Sequence, residues 1–143
     1  MKPVSPLSSA DQRILDSYKT SLEGLSAYLG EAFEIVLHDL SDLDHSIIKV
    51  FNGFHSGRKE GAPITDLALS MLDQINKNAD PFISYLSRSK YGKPVKSTTI
   101  VIFGENRNAI GLICINLYLD SPLTSLLQDF ASLDNPVEFV SEN

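Results

Sequence analysis

Short runs of apolar, branched residues that end in polar side chains constrain the fold of this chain more than any other feature. Residues 35–40 read Ile-Val-Leu-His-Asp-Leu, and residues 110–116 read Ile-Gly-Leu-Ile-Cys-Ile-Asn. Runs of this length and composition are typical of β-strands, and they are far too short to cross a membrane. An apolar body with a few convergent polar groups is the usual make-up of a small-molecule pocket. The same runs therefore point to a sheet and to a binding site on it.

Two helices are predicted from the spacing of apolar residues. The first spans about residues 10–29, where apolar side chains recur at three- and four-residue steps. Ser9 fits the first position of a capping box at its start, and Gly30 fits the residue that ends such a helix. Thr65 is the expected cap of the second helix, which runs to about residue 76.

Five strands and a closing helix complete the predicted order. The strands are expected at residues 33–40, 47–54, 83–87, 95–103 and 109–117. Ser121, with a proline at the first helical position, starts the closing helix. Two strands, a helical crossing and a three-strand meander fit a single antiparallel sheet with helices on one face, which is an α+β arrangement.

Composition limits the classes of protein to which the chain can belong. At 143 residues it is expected to form one domain. Its formal net charge of −6 disfavours nucleic-acid binding by this chain alone. The first ten residues hold one lysine and no apolar stretch, so no secretory signal is expected. A single cysteine, Cys114, excludes an intrachain disulfide and fits a reducing compartment, so a cytoplasmic location is expected.

Catalytic and metal-binding interpretations find little support in the sequence. His38 and Asp39 are adjacent in a strand and point to opposite faces, so a pocket or turn hydrogen bond is favoured over an acid–base pair. His45 and His55 form no metal-ligand spacing with His38. Cys114 lies in an apolar strand and is expected to be buried and inert. With no haem or flavin motif in sight, we expect no enzyme activity, no metal and no cofactor.

Several polar residues have both a structural and a binding interpretation. Asn52 fits a tight turn at the end of a strand, or a carboxamide turned toward a ligand. Arg58 fits a solvated charge, or a guanidinium that grips a carboxylate. Alternation along the strand places Lys96 on one face and Ser97 on the other. Asn116 needs partners if it is buried, which makes it a pocket candidate.

Residues 29–120 resemble the YheO-like PAS domain family, the sensor half of a group of bacterial helix-turn-helix transcriptional regulators. The resemblance rests on Leu37-His38-Asp39-Leu40, Asn52-Gly53, Ser56-Gly57-Arg58, Thr65-Asp66, Lys96-Ser97-Thr98 and the run over residues 111–116. It implies a PAS-like five-stranded antiparallel sheet with flanking helices and a long N-terminal helix. It also implies a small-molecule-sensing regulatory domain. The alternative is a PAS-like dimerisation or interaction module without a bound ligand.

The resemblance also suggests how the chain is organised. Residues 1–8 are expected to be a flexible tail, residues 9–133 the sensor domain, and residues 134–143 an acidic end that leads to a DNA-binding domain missing from this chain. DNA is therefore expected as a partner only through that missing domain, and no membrane is expected as a partner.

The expected ligand is a small cytosolic metabolite bound between the sheet and the segment of residues 52–66. Its contacts are expected to be His38, Asn52, Arg58, Thr65, Asp66, Lys96, Ser97 and Asn116. Arg58 could meet a carboxylate and Asp66 an ammonium, which favours a zwitterion such as an amino acid.

The first helix suggests an oligomer. Its apolar stripe is longer than one face of a small sheet is expected to cover, and exposed apolar stripes mark interfaces. The stripe consists of Ile14, Leu15, Tyr18, Leu22 and Leu25. A homodimer is therefore expected.

Overall fold

The structure is a computed structural model that describes residues 6–78 and 80–120. The closing helix expected from Ser121, the acidic end over residues 134–143 and most of the N-terminal tail lie outside these ranges. Within them, no helix has the length and apolar character needed to cross a membrane.

Five antiparallel strands form one sheet. They are β1 (Phe33–Asp39), β2 (Ile47–Phe51), β3 (Phe82–Arg88), β4 (Pro94–Phe103) and β5 (Ala109–Tyr118). Their order across the sheet is β2-β1-β5-β4-β3, so β1 and β5 are neighbours near its centre. The predicted α+β fold with a five-stranded antiparallel sheet is confirmed. The second strand is shorter than predicted because Asn52 takes a left-handed conformation (φ 57°) and ends it.

Two helices flank the sheet, α1 (Ser9–Leu29) and α2 (Asp66–Asn78). The predicted cap of α1 is off by one residue, because it is Ser8 whose Oγ accepts a hydrogen bond from the backbone amide of Asp11, at 3.1 Å. The other two predicted helix ends are confirmed. Gly30 closes α1 at φ 91°, and Thr65 Oγ1 caps α2 by accepting from the Ala68 amide at 3.2 Å.

The two helices lie on opposite faces of the sheet, so the expectation that both pack on one face is wrong. Ile35 and Leu37 pack with Leu15 of α1, whereas Val36 between them packs with Leu72 of α2. The physical reason is that β1 and β5 are buried on both faces. A strand covered on both sides reads as a continuous apolar run, and such a run was present in the sequence.

The apolar stripe of α1 is largely used within the chain. Leu15 and Leu22 are buried against the sheet, and Ile14, Tyr18 and Leu25 are half-buried at the same contact. The sheet therefore covers much of the surface on which the expected homodimer rested. The homodimer itself stays a prediction.

Two glycines allow α1 to lie close to the sheet. A Cβ on Gly111 of β5 would stand 2.6 Å from Leu15 Cδ1 and 2.8 Å from the carbonyl oxygen of His38. A Cβ on Gly104 would stand 2.5 Å from Asp11 Oδ1, the atom that accepts a hydrogen bond from the Glu105 amide at 2.8 Å. At these two positions α1 packs directly against the backbone, because glycine has no side chain to hold the helix farther away.

Gly111→Ala should destabilise the domain. The added methyl group would overlap both the α1 side chain and the β1 backbone, and overpacking of this kind costs about 1–3 kcal/mol. Gly24→Ala is the control, because nothing lies within 4 Å of the Cβ that it adds. In the middle of α1 that change should raise the free energy of unfolding by about 0.5–1 kcal/mol. Urea unfolding measures both; an unchanged midpoint for Gly111→Ala would contradict the close packing.

Candidate functional site

A cavity of about 430 Å³ lies between the sheet and the segment that leads into α2. One wall is the α2-side face of strands β1, β3, β4 and β5. The other wall is formed by residues 55–58, Ala62 and the first turn of α2, and the turn after β3 borders the opening. This is the position that the sequence predicted for a pocket, between the central sheet and residues 52–66.

A row of polar residues crosses the sheet under this cavity. Glu34 on β1 is paired with Asn116 on β5, Asn116 with Ser97 on β4, and Ser97 with Tyr85 on β3. Cross-strand partners share a face of the sheet, so one line of the register brings together four polar side chains from four strands.

Hydrogen bonds connect three members of this row. Ser97 Oγ donates to Asn116 Oδ1 at 2.7 Å, and Asn116 Nδ2 donates to Glu34 Oε1 at 3.0 Å. Every buried side-chain nitrogen and oxygen in the described part of the chain has a partner. Buried polar groups are tolerated when they are satisfied in this way.

Glu34 is the fixed point of the network. Its side chain is 0% exposed, and its carboxylate accepts hydrogen bonds from Arg58 Nη1 at 2.5 Å and from Ser56 Oγ. Arg58 is 29% exposed at its side chain and lines the cavity. A buried carboxylate needs such a cation, because an unpaired buried charge is strongly destabilising. The pair therefore fastens the segment after β2 onto β1.

His38 lies farther along the same face of β1 and is 3% exposed. Its Nδ1 lies 2.8 Å from Ser46 Oγ. Burial, helped by the positive charge of Arg58, lowers the pKa of His38 from 6.5 to about 4. The ring is therefore neutral at pH 7 and offers the cavity a hydrogen-bonding group without charge.

Cys114 and its neighbours form an unreactive part of the wall. Burial raises the pKa of the Cys114 thiol to about 11, so the nucleophilic thiolate is scarcely populated at neutral pH. The thiol lies 3.7 Å from Thr99 Oγ1, which is 3.0 Å from the Tyr85 hydroxyl. The arrangement agrees with the buried cysteine that the sequence predicted.

An aromatic stack borders another side of the cavity. The rings of His55 and Tyr118 lie parallel, with centroids 4.2 Å apart and planes 8° apart. His55 Nε2 donates to the Glu31 carbonyl oxygen at 2.5 Å, which anchors the stack near the end of α1. Burial raises the pKa of Tyr118, as does the nearby charge of Glu34.

The structure brings five of the eight predicted contacts to the cavity wall and places three elsewhere. The five are His38, Arg58, Thr65, Ser97 and Asn116. The other three, Asn52, Asp66 and Lys96, are outside the lining. The described residues contain no group of three or more histidine, cysteine, aspartate or glutamate side chains able to hold a metal ion.

Each of those three residues is elsewhere for a physical reason. Asn52 Nδ2 donates to the carbonyl oxygens of Phe33 at 2.8 Å and Gly30 at 3.2 Å. Its carboxamide therefore links the end of β2 to the junction between α1 and β1 and does not line the cavity. Asp66 is exposed in the first turn of α2. Lys96 is exposed on the other face of β4, as alternation with Ser97 requires.

The prediction also missed residues that matter to the site. Glu34, Tyr85, His55 and Tyr118 were not among the candidates, nor were Arg88 and Lys90 at the cavity's edge. A usable signal existed for Glu34, because a carboxylate inside the apolar run of β1 shares a face with His38. Tyr85 could be found only from the register of β3 against β4, which the predicted meander does not specify.

A five-stranded antiparallel sheet in this order, with helices on both faces and a cavity under one of them, defines a PAS-type domain. The family model described as the YheO-like PAS domain matches residues 8–132. The chain therefore belongs to the YheO-like PAS domain family.

Curated relatives of the chain agree with this assignment. It is 44% identical over 133 residues to the protein named uncharacterized protein YheO of Escherichia coli (strain K12), covering 92% of this chain and 55% of that protein. It is 41% identical over 140 residues to an uncharacterized protein of Haemophilus influenzae, covering 96% and 62%. The chain thus spans little more than half the length of these relatives.

Two solved structures are similar to the chain at low sequence identity. An RNA-binding light-oxygen-voltage receptor matches with a TM-score of 0.50 and 12% identity, over 90% of this chain and 40% of that one. A PAS domain from Colwellia psychrerythraea matches with a TM-score of 0.49 and 17% identity, over 73% of this chain and 100% of that one.

Stability should depend on pH through His38. Its folded pKa of about 4 lies below the ordinary 6.5, so the unfolded chain binds more protons between these values. The free energy of unfolding should therefore fall as pH is lowered from 6.5 to 4, by up to about 3 kcal/mol from this group. Unfolding in urea at a series of pH values measures the slope.

His38→Gln should remove that component of the slope, because the amide does not titrate. An identical pH dependence for wild type and His38→Gln would show that the ring is not held neutral by burial.

Proposed function

We propose that this domain is a small-molecule sensor and that the cavity under the polar row is its ligand site. The observation that carries the proposal is the row itself, in which Glu34, Asn116, Ser97 and Tyr85 line up on one face of the sheet. Apolar residues of similar volume would stabilise an ordinary core as well or better. A line of polar groups beside a cavity of about 430 Å³ is what a specific pocket requires.

The segment after β2 supplies a way for a bound molecule to act on the protein. Arg58 and Ser56 bond Glu34 from one side and border the cavity from the other. A ligand that contacts Arg58 interacts differently with the protein when Ser56 and Arg58 are bonded to Glu34 and when they are not. That difference in binding energy is what is needed to shift a population between two arrangements.

We further propose, from the chain's membership of this family, that the domain takes part in transcriptional regulation. In this reading the domain passes its ligand state to a DNA-binding domain elsewhere in a longer protein. The net charge of −6 supports assigning DNA contact to a separate domain.

A binding role is favoured over catalysis by the state of the candidate reactive groups. His38 has a pKa of about 4 and Cys114 one of about 11, so neither is poised for acid–base or nucleophilic work near pH 7. We therefore propose a binding module, in which these residues shape the wall of the site.

Filling the cavity should abolish ligand binding while the fold persists. Ala68 is 5% exposed in α2 and lines the cavity, so Ala68→Phe would place a ring in the empty space. Ser70→Leu, on an exposed position of the same helix, is the matched control. The three proteins are purified alike, their retained small molecules are identified by native mass spectrometry, and the identified compound is titrated back by calorimetry.

Wild type and Ser70→Leu should bind the compound alike, and Ala68→Phe should lose at least about tenfold in affinity, or 1.4 kcal/mol. Circular dichroism checks that the variant is folded. Equal affinity in the folded Ala68→Phe protein would place the ligand somewhere else and overturn the proposal.

A further inference from the structure

The charges that border the cavity are positive, although the chain as a whole carries −6. Arg58, Arg88 and Lys90 line it, whereas no aspartate or glutamate of the described residues does. A concave site lined by one sign of charge concentrates ligands of the opposite sign.

Two of these three cations have no acidic partner among the described residues. Arg58 is committed to Glu34, but Arg88 and Lys90 form no ion pair with any other residue in the part of the chain described. Arg88 Nη1 is held by the Gly92 carbonyl oxygen at 3.0 Å, and Lys90 Nζ lies 5.2 Å from the centre of the Tyr91 ring. Both cations therefore sit at the opening with their charge uncompensated by an acid.

Gly57 brings the lysine across that opening. A Cβ built on Gly57 would lie 3.7 Å from Lys90 Nζ, so the ammonium group approaches the backbone of the segment after β2. The turn after β3 and the segment after β2 therefore approach each other at the Lys90 ammonium group.

A positively charged group on a ligand would find no free acid in the cavity. Asp66, the residue expected to meet an ammonium, is exposed and outside the lining. Glu34 is 0% exposed and already accepts from Arg58, Ser56 and Asn116. The basis for a zwitterionic ligand is therefore missing from the wall.

The deeper wall is uncharged. Ser97 and Tyr85 present hydroxyl groups, Val36 and Ala68 present apolar surface, and His38 is neutral at pH 7. Such a surface suits a body with few polar atoms and no charge.

We propose, building on the sensor function above, that the ligand is a small organic anion. Its carboxylate lies at the opening between Lys90 and Arg88, and its uncharged body extends toward Ser97 and Tyr85. Arg88 offers a planar pair of N–H groups to the carboxylate, and Lys90 adds a point charge.

Four six-carbon probes separate charge from shape. Hexanoate is the anion, hexanamide its neutral counterpart, norleucine the zwitterion and hexylamine the cation. Each is titrated into the full chain, and amide shifts of Ser97 and Tyr85 in nitrogen-15 NMR spectra report occupancy of the cavity. Hexanoate should bind roughly tenfold more tightly than hexanamide, the effect of about one charge-assisted hydrogen bond. Norleucine and hexylamine should bind no more tightly than hexanamide.

Variants assign the preference to particular residues. The double variant Arg88→Gln with Lys90→Gln should bind hexanoate and hexanamide equally. Lys59→Gln removes an exposed positive charge outside the lining and should keep the preference for hexanoate.

The outcomes distinguish this inference from the sensor function on which it rests. Equal binding of hexanoate and hexanamide, with Ser97 and Tyr85 shifting, would keep the cavity as a ligand site and overturn the anion. Tighter binding of norleucine or hexylamine would overturn it as well. Binding that persists in Ala68→Phe, or no shift at either residue with any probe, would count against both.

Discussion

The buried ion pair between Glu34 and Arg58 is the interaction on which the site depends. β1 lies between β2 and β5 in the sheet, and Glu34 within it is 0% exposed. A carboxylate there is tolerable only if a cation and further donors surround it. Arg58 and Ser56 meet that need, and in doing so they fix the course of the chain after β2. Residues 55–58 of this segment form part of the cavity wall, so the pair also helps to shape the cavity.

The central strands carry an apolar core on each face, and the α2 side carries the polar row in addition. On the α1 side, Ile35, Leu37 and Ile113 build a core without hydrogen-bonding requirements. On the α2 side, the same strands carry Glu34 and Asn116 under the cavity. Both faces therefore contribute apolar burial to the stability of the sheet, and the polar groups near the cavity occupy only part of the α2 side.

Much of the fold could be predicted from local chemistry. Capping by Thr65 and closure by Gly30 depend on nearest neighbours along the chain, and the structure bears both out. The side of the sheet on which each helix packs depends on contacts between distant segments, and there the prediction failed. The continuous apolar character of β1 was the available sign that both faces are covered.

The candidate site was predictable only in part, for a related reason. His38, Ser97 and Asn116 follow from strand alternation and lie at the cavity. Lys96 was included among the predicted contacts because it belongs to the family motif, although alternation already placed it on the opposite face of β4 from Ser97. Asn52 and Asp66 differ, because their surroundings depend on how loops close. Glu34 was overlooked since its partner is 24 residues away along the chain.

A double-mutant cycle on Glu34 and Arg58 measures how strongly this pair holds the segment after β2 to β1. Glu34→Gln, Arg58→Met and the double variant are unfolded in urea alongside the wild type, and the coupling energy is taken from the four free energies. The exposed pair of Lys49 and Glu60, 3.8 Å apart, gives the reference cycle. We expect about 1.5–3 kcal/mol for the buried pair, since Arg58 is partly exposed, and under about 1 kcal/mol for the surface pair. Equal coupling in the two cycles would mean that the pair does not hold the cavity wall in place.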